Sequence, residues 1–431
     1  MKEIRIKPLQ LGGSVVIPPS KSLAHRYIIG GALCEGEAVV SNLQRSKDIE
    51  ATIEVMSNLG VDFSLMADEE GRLTYRIKGH GGAFQLTNSD FQCNESGSTL
   101  RFLIPILLLI TEEVVVRGQG KLVERPLDVY YDILKEQGIE YKNAKGHLPL
   151  VLSYGRRKLS SGVFKVRGDI SSQFITGLLY ALPLLDGDSR IEMTTNLESR
   201  PYVDLTIKAL KDFGIKIINN DYQSFEIPGK QKYLGGSYKV EGDFSQVAFF
   251  AVGGLIGSKP IKVTGLNKNS LQGDKAIIDI IKKMQGQVEE LEDGYIFYPS
   301  KTQGITIDIK ECPDLVPALT VLAALSEGET RIINGERLKI KESNRLESTS
   351  KELIKLGADI EILEDSLLIR GVEGFNGGLV DSWNDHRVAM SLGVASQRAS
   401  GDLILTGADS VAKSYPGFWD DFKKLGGVFS E

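Results

Sequence analysis

The sequence predicts an α/β protein of two lobes, built from six copies of one unit. Three observations predict it. The chain has 431 residues, too many for one compact core, so two domains are expected. A helical pattern that stops at a glycine recurs along its whole length, at Leu59-Gly60, Gln137-Gly138, Phe213-Gly214, Gln285-Gly286, Leu356-Gly357 and Leu425-Gly426, with spacings of 69 to 78 residues. A second marker runs in register with the first. Gly36-Glu37, Gly187-Asp188, Gly328-Glu329 and Gly401-Asp402 each precede a short β-rich stretch such as Ile332-Ile333.

Each unit reads as strand, polar turn, apolar helix, strand, amphipathic helix, strand. The glycine after the second helix is expected to take the left-handed conformation that closes a helix. That helix is clearest in the fourth copy, where Ile277, Ile280, Ile281 and Met284 fall at helical spacing between Lys and Asp. The first helix differs: Val247-Ala248-Phe249-Phe250-Ala251 and Ala318-Leu319-Thr320-Val321-Leu322 are apolar nearly all round and should be buried. A unit of this size is larger than a solenoid repeat, so three units to a globular lobe are expected.

Composition limits the function. Charged residues at 25% and hydrophobic residues at 42% fit a soluble globular chain. A net charge of −6 argues against a nucleic-acid partner, which would want a basic face. The apolar run Phe102–Ile110 holds Pro105 and is far short of the roughly 20 residues of a membrane span. Cys34, Cys93 and Cys312 are odd in number and far apart, so no disulfide framework is expected. The reading is a soluble cytoplasmic protein, and a monomer is expected.

The polar turns before the apolar helices carry the chemistry. They are Ser20-Lys21-Ser22, Ser96-Gly97-Ser98-Thr99, Ser171-Ser172-Gln173, Phe244-Ser245-Gln246, Pro313-Asp314 and Asp385-His386-Arg387. A helix start carries unpaired N–H groups and about half a positive charge, so it favours anions. Ser, Thr and Asp here also read simply as caps. Cations recur beside the turns: Lys21, Arg26, Arg101, Arg125, Arg167, Lys341, Arg345, Arg387 and Lys413. Local cations in an acidic chain indicate a small phosphate or carboxylate ligand. Gly118-Gln119-Gly120-Lys121 is not a phosphate-binding loop of the nucleotide type, because Leu122 follows. No dinucleotide fingerprint appears, and His25, His80, His147 and His386 lack metal spacing. The expected chemistry uses no cofactor and no metal, and is run by Asp, Glu, Lys and Arg.

Three motifs in series give a resemblance. Pro18-Pro19-Ser20-Lys21-Ser22-Leu23-Ala24-His25-Arg26, the run Arg337-Leu338-Lys339-Ile340-Lys341-Glu342-Ser343-Asn344-Arg345-Leu346, and Asn384-Asp385-His386-Arg387 resemble the 5-enolpyruvylshikimate-3-phosphate (EPSP) synthases from end to end. The resemblance implies two similar lobes, each of three βαβαββ repeats with inner helices buried and sheets outward, an inside-out α/β barrel. Residues 21–240 would form the first lobe, and 1–20 with 241–431 the second. The crossings would fall near Pro18–Ser20 and Val240–Asp243, with the active site in the cleft. It implies transfer of the enolpyruvyl group of phosphoenolpyruvate to the 5-hydroxyl of shikimate 3-phosphate, through a tetrahedral ketal, with release of phosphate.

By the same resemblance, shikimate 3-phosphate meets Lys21, Ser22, Arg26, Ser171, Ser172, Ser199, Tyr202, Asp314 and Lys341. Phosphoenolpyruvate meets Lys21, Gly97, Arg125, Gln173, Arg345, Arg387 and Lys413. Asp314 accepts the proton of the attacking hydroxyl, and Glu342 protonates the methylene carbon, with Lys21 between the two ligands. Glu342 lies between Lys341 and Arg345, and cations lower a carboxyl pKa, so its proton affinity is expected to rise when both substrates bind. Glu95, Ser98 and Arg337 depart from the family pattern, which has Asn, Thr and Asn there. Gly97 matches a position where bulk restricts the phosphoenolpyruvate pocket, and glyphosate is expected to compete there. Two alternatives remain at this point. One is enolpyruvyl transfer to UDP-N-acetylglucosamine, whose enzymes carry Lys-Asn where this chain has Lys21-Ser22, and a Cys in the loop matching Gly120–Arg125. The other is a non-catalytic phospho-ligand binding protein.

Overall fold

A computed structural model describes residues 2–69, 71–154 and 157–431. The chain divides into two compact units. One is continuous, Pro19–Val240; the other is split, taking the residues up to Pro18 together with Glu241–Glu431.

The continuous unit holds helices α1 (Lys21–Leu33), α2 (Lys47–Asn58), α3 (Gly97–Leu107), α4 (Asp128–Glu136), α5 (Ser172–Ala181) and α6 (Arg200–Asp212). The split unit holds α7 (Phe244–Ile256), α8 (Ala276–Lys283), α9 (Val316–Ala324), α10 (Arg345–Lys355), α11 (His386–Ala395) and α12 (Phe418–Lys424). The odd-numbered helices are the apolar ones. Every residue of α7, α9 and α11 is buried. Those three helices pack on one another, and α3 packs on both α1 and α5. Burying each Leu, Ile or Phe on such a helix contributes about 1.5–3 kcal/mol. The even-numbered helices show one buried face, as Ile277, Ile278, Ile280 and Ile281 do on α8.

Each unit carries three four-stranded sheets. The second copy shows the plan. Asp90–Gln92 pairs in parallel with Val114–Arg117, which pairs antiparallel with His147–Tyr154, which pairs with Glu140–Ala144. The closing element is thus a hairpin of two strands, where the residue pattern read one. A left-handed Lys145 and Gly146 make its turn; Glu140–Ala144 has no buried residue and gives little periodicity to read, whereas its partner buries Leu148, Leu150 and Leu152. Three sheets recruit a distant strand. Tyr233–Lys239 completes the first copy by pairing with Cys34–Gln44, and Gly13–Val16 completes the fourth by pairing with Ile261–Thr264. Ile4–Ile6 enters the sixth sheet beside Leu403–Thr406.

Five of the expected helix stops take a left-handed glycine: Gly60, Gly138, Gly214, Gly357 and Gly426. The fourth does not. There Gln285 takes φ of 65°, and Gly286 serves a close approach instead, since a Cβ on it would lie 2.6 Å from Ile281 Cγ2.

Candidate active site

The inner helices begin where the sequence placed them. Ser20, Ser96, Ser171, Asp243 and Asp385 cap α1, α3, α5, α7 and α11 with their side-chain oxygens. Before α9 the chain makes a 3₁₀ turn, Pro313–Leu315, that presents Asp314. These are the polar turns that hold the predicted side chains.

In the split unit the starts of all three inner helices meet at one guanidinium. Arg387, in the first turn of α11, donates through Nη2 to Ser245 Oγ of α7 at 3.0 Å and to Asp314 Oδ2 at 3.0 Å. Its Nη1 donates to the Asp314 carbonyl at 3.3 Å. Arg345 starts α10 and is 1% exposed. It donates through Nη1 to Asp314 Oδ1, through Nη2 to Glu342 Oε2 and through Nε to Asp385 Oδ2, each at 2.8 Å. Lys341 Nζ lies 3.4 Å from Asp314 Oδ1. Lys413 Nζ donates to the Asn384 carbonyl at 2.6 Å. Asp314, Lys341, Glu342, Arg345 and Arg387 therefore form one charged network, with Lys413 at its edge.

Burial alone would push the Asp314 carboxyl up. Arg387, Lys341 and Arg345 overcome that and hold it well below the usual carboxylate range. Burial lowers the Lys341 pKa, against the pull of Asp314.

The continuous unit gathers its predicted residues in three groups. Lys21, in the first turn of α1, donates to Asp48 Oδ2 at 2.7 Å. The Thr99 hydroxyl of α3 donates to the Asp48 carbonyl, so Asp48 touches the starts of two inner helices. Gly97 opens α3 against Arg125: a Cβ there would lie 2.6 Å from Arg125 Nη1, so only glycine lets the guanidinium rest on this backbone. Gln173 of α5 donates through Nε2 to Ser98 Oγ at 3.0 Å and accepts from Arg101 Nη1 at 2.8 Å. The third group centres on Arg26, which donates to Thr206 Oγ1 and to the Ser22 and Tyr202 carbonyls. Burial pulls its pKa down to about 10. Ser199 precedes α6 with a left-handed φ of 54°, where a residue with a Cβ is uncommon. Ser171 and Ser172 stand at the start of α5 beside Gln173.

Comparisons with known proteins give the family. The profile of the EPSP synthase (3-phosphoshikimate 1-carboxyvinyltransferase) family matches residues 6–422. The chain belongs to the EPSP synthase family. It is 52% identical to a 3-phosphoshikimate 1-carboxyvinyltransferase of Clostridium novyi, covering 100% of this chain and 99% of the relative. It is 48% identical to one of Clostridium perfringens strain 13, covering all of both chains. A solved EPSP synthase from Acinetobacter baumannii superposes with a TM-score of 0.82 at 26% identity, also over all of both chains. The two-lobed α/β fold and the enzyme class expected from the EPSP synthase motifs are thus found. Among the described residues no helix is long and apolar enough to cross a membrane.

Some predicted cations turn out differently placed. Arg167 is exposed and clamps Asp169 through two hydrogen bonds. Arg101 is buried, with its guanidinium over the Phe174 ring, and works through Gln173. The Glu95 carboxylate leans on Gly120, where a Cβ would lie 2.8 Å from Oε2. Residue reading missed Asp48 and the double role of Asp385, and had Ser245 only as part of a polar turn. Asp48 stands 27 residues from Lys21, and only the packing of α2 on α1 joins them. Asp385 was legible as a cap, but its bond to Arg345 spans 40 residues.

Proposed function

We propose that the chain transfers the enolpyruvyl group of phosphoenolpyruvate to the 5-hydroxyl of shikimate 3-phosphate and releases phosphate. The observation that carries this reading is a pair of carboxylates, Asp314 and Glu342, each 2.8 Å from the one Arg345 guanidinium. Two groups that can hold protons, fixed by a common cation, suit a reaction that needs one proton removed and another delivered. Family membership supports the choice of substrates. The Gly120–Arg125 loop has no Cys, which disfavours UDP-N-acetylglucosamine as acceptor.

The residues divide the work as follows. In addition, Asp314 takes the proton of the 5-hydroxyl while its oxygen bonds to C2 of phosphoenolpyruvate. Glu342 delivers a proton to C3, which completes the ketal. In elimination the C2–O bond to phosphate breaks, a C3 proton returns to Glu342, and the departing phosphate takes the proton held by Asp314. Arg345, Arg387, Arg125 and Lys413 bind the phosphoenolpyruvate anion, with Gly97, Gln173 and Lys21. Planar guanidinium groups suit carboxylate and phosphate. Lys21, Ser22, Arg26, Ser171, Ser172, Ser199, Tyr202 and Lys341 bind shikimate 3-phosphate.

A strongly depressed Asp314 is a poor base. Incoming carboxylate and phosphate compete with it for Arg387, Arg345 and Lys341, and each cation they draw off raises its proton affinity. Substrate binding thus switches the base on. The three buried free thiols fit a reducing compartment, and we place the enzyme in the cytoplasm.

The test is phosphate release from phosphoenolpyruvate, with and without shikimate 3-phosphate, in excess EDTA. The reading expects release only with both substrates. Release dependent on UDP-N-acetylglucosamine instead, or no release, would overturn it.

A further inference from the structure

Just ahead of α11, two consecutive residues with side chains adopt left-handed backbone: Trp383 and Asn384, both at φ of 53°. Asn tolerates this conformation; Trp, with a bulky side chain, is a rare occupant. Trp383 is 37% exposed, so burial does not explain why the turn persists. Something must hold it, and the hydrogen bonds show what.

Glu352 lies on α10 and is 1% exposed. Its Oε1 accepts the Trp383 indole N–H at 2.7 Å, and its Oε2 accepts the Asp381 backbone N–H at 3.0 Å. Lys355 donates to both oxygens, at 2.8 and 2.7 Å. Lys351 places its ammonium 5.7 Å from the centre of the Trp383 ring. Asp381 in turn accepts the Trp383 backbone N–H at 2.5 Å. A residue of α10 thus fixes both the first and the third positions of the segment 381–384.

The segment sets two groups of the site. The Asn384 carbonyl, aimed by the left-handed turn, receives Lys413 Nζ at 2.6 Å. Asp385 then caps α11, accepting the Arg387 N–H through Oδ1 and Arg345 Nε through Oδ2. Glu352 and Arg345 are seven residues apart on α10, which puts them on one face of that helix. The helix therefore grips the segment twice, once through Arg345 on Asp385 and once through Glu352 on Trp383.

We propose that Glu352 is a positioning residue for phosphoenolpyruvate, acting through the Trp383–Asn384 turn on Lys413 and Arg387. It touches neither substrate in this account. The proposal rests on the reading that Lys413 and Arg387 bind phosphoenolpyruvate.

The test compares steady-state kinetics of Glu352→Gln, Trp383→Phe, the double variant and Lys413→Met. Glu352→Gln replaces one acceptor oxygen by a donor. We expect it to raise KM for phosphoenolpyruvate about tenfold, the effect of losing one good hydrogen bond, while KM for shikimate 3-phosphate stays within twofold. Trp383→Phe keeps the ring and removes the indole N–H, and should move the same parameter in the same direction. Both variants act through the one segment 381–384, so their effects on KM should be less than additive in the double variant. A general loss of stability would lower active enzyme without singling out one substrate. Should Glu352→Gln fail to fold, Trp383→Phe decides alone, since its side chain is partly exposed. If Lys413→Met raises KM for phosphoenolpyruvate while Glu352→Gln and Trp383→Phe leave it unchanged, the positioning role is overturned and the binding reading stands. If all of the variants leave it unchanged, both are overturned.

Discussion

Arg26 in the continuous unit and Arg345 in the split unit are buried to the same degree, at 2% and 1% exposure, yet their proton affinities move in opposite directions. Arg26 meets a hydroxyl and two carbonyls, and burial pulls its pKa down to about 10. Arg345 meets three carboxylates. Burial again pulls down, but Asp385, Glu342 and Asp314 more than reverse it. The difference separates two ways to keep a cation ready for an anion. Neutral partners leave the guanidinium charge uncompensated and attractive. Carboxylate partners cancel it until a stronger anion competes.

The largest effect expected from this contrast is on stability. Arg345→Met takes one guanidinium from Asp314, Glu342 and the fully buried Asp385 and should cost about 3–5 kcal/mol in urea unfolding. Arg26→Met strands only neutral acceptors and should cost about 1–3 kcal/mol. Equal losses would break the comparison.

Asp314→Asn sharpens it through pH. The folded pKa of Asp314 is depressed, so its charge stabilises the fold above the ordinary carboxyl pKa of about 3.9, and that stabilisation is lost as pH falls through the lower folded value. The variant should be less stable than the parent at pH 7, and the gap should close as the pH is lowered below about 3.9. A gap independent of pH would mean that Asp314 is not held ionised by its neighbours.

The smallest stability effect belongs to Gly97→Ala. An added Cβ meets the movable end of Arg125, so the guanidinium must shift, and the fold should lose about 1 kcal/mol or less. Its effect should appear instead as a raised KM for phosphoenolpyruvate, about tenfold. Unchanged kinetics would remove Arg125 from the site.

The parts of this protein legible in sequence were those written in local patterns. All-apolar stretches such as Phe244–Ile256 announced buried helices, and Ser20, Ser96 and Ser171 announced their caps. Lys341, Arg345 and Arg387 stood out as cations beside those turns, but their roles, and Glu342 altogether, could be named only through motif resemblance, because nothing local distinguishes them from a solvated face. What stayed hidden depends on packing between distant segments. Asp48 beneath Lys21, the bond from Asp385 to Arg345 and the strand Tyr233–Lys239 completing the first sheet have no periodic signature. Gln285 in place of Gly286 shows a local rule yielding to close packing.

On the proposed function, Asp314 and Glu342 move protons while other groups bind. The most direct measurement is single-turnover phosphate release by Asp314→Asn and Glu342→Gln, with shikimate 3-phosphate affinity measured on the same samples. The prediction is affinity within a few-fold of the parent for Glu342→Gln, and release slowed by about a hundredfold or more in both. Release at the parental rate by either variant would contradict it.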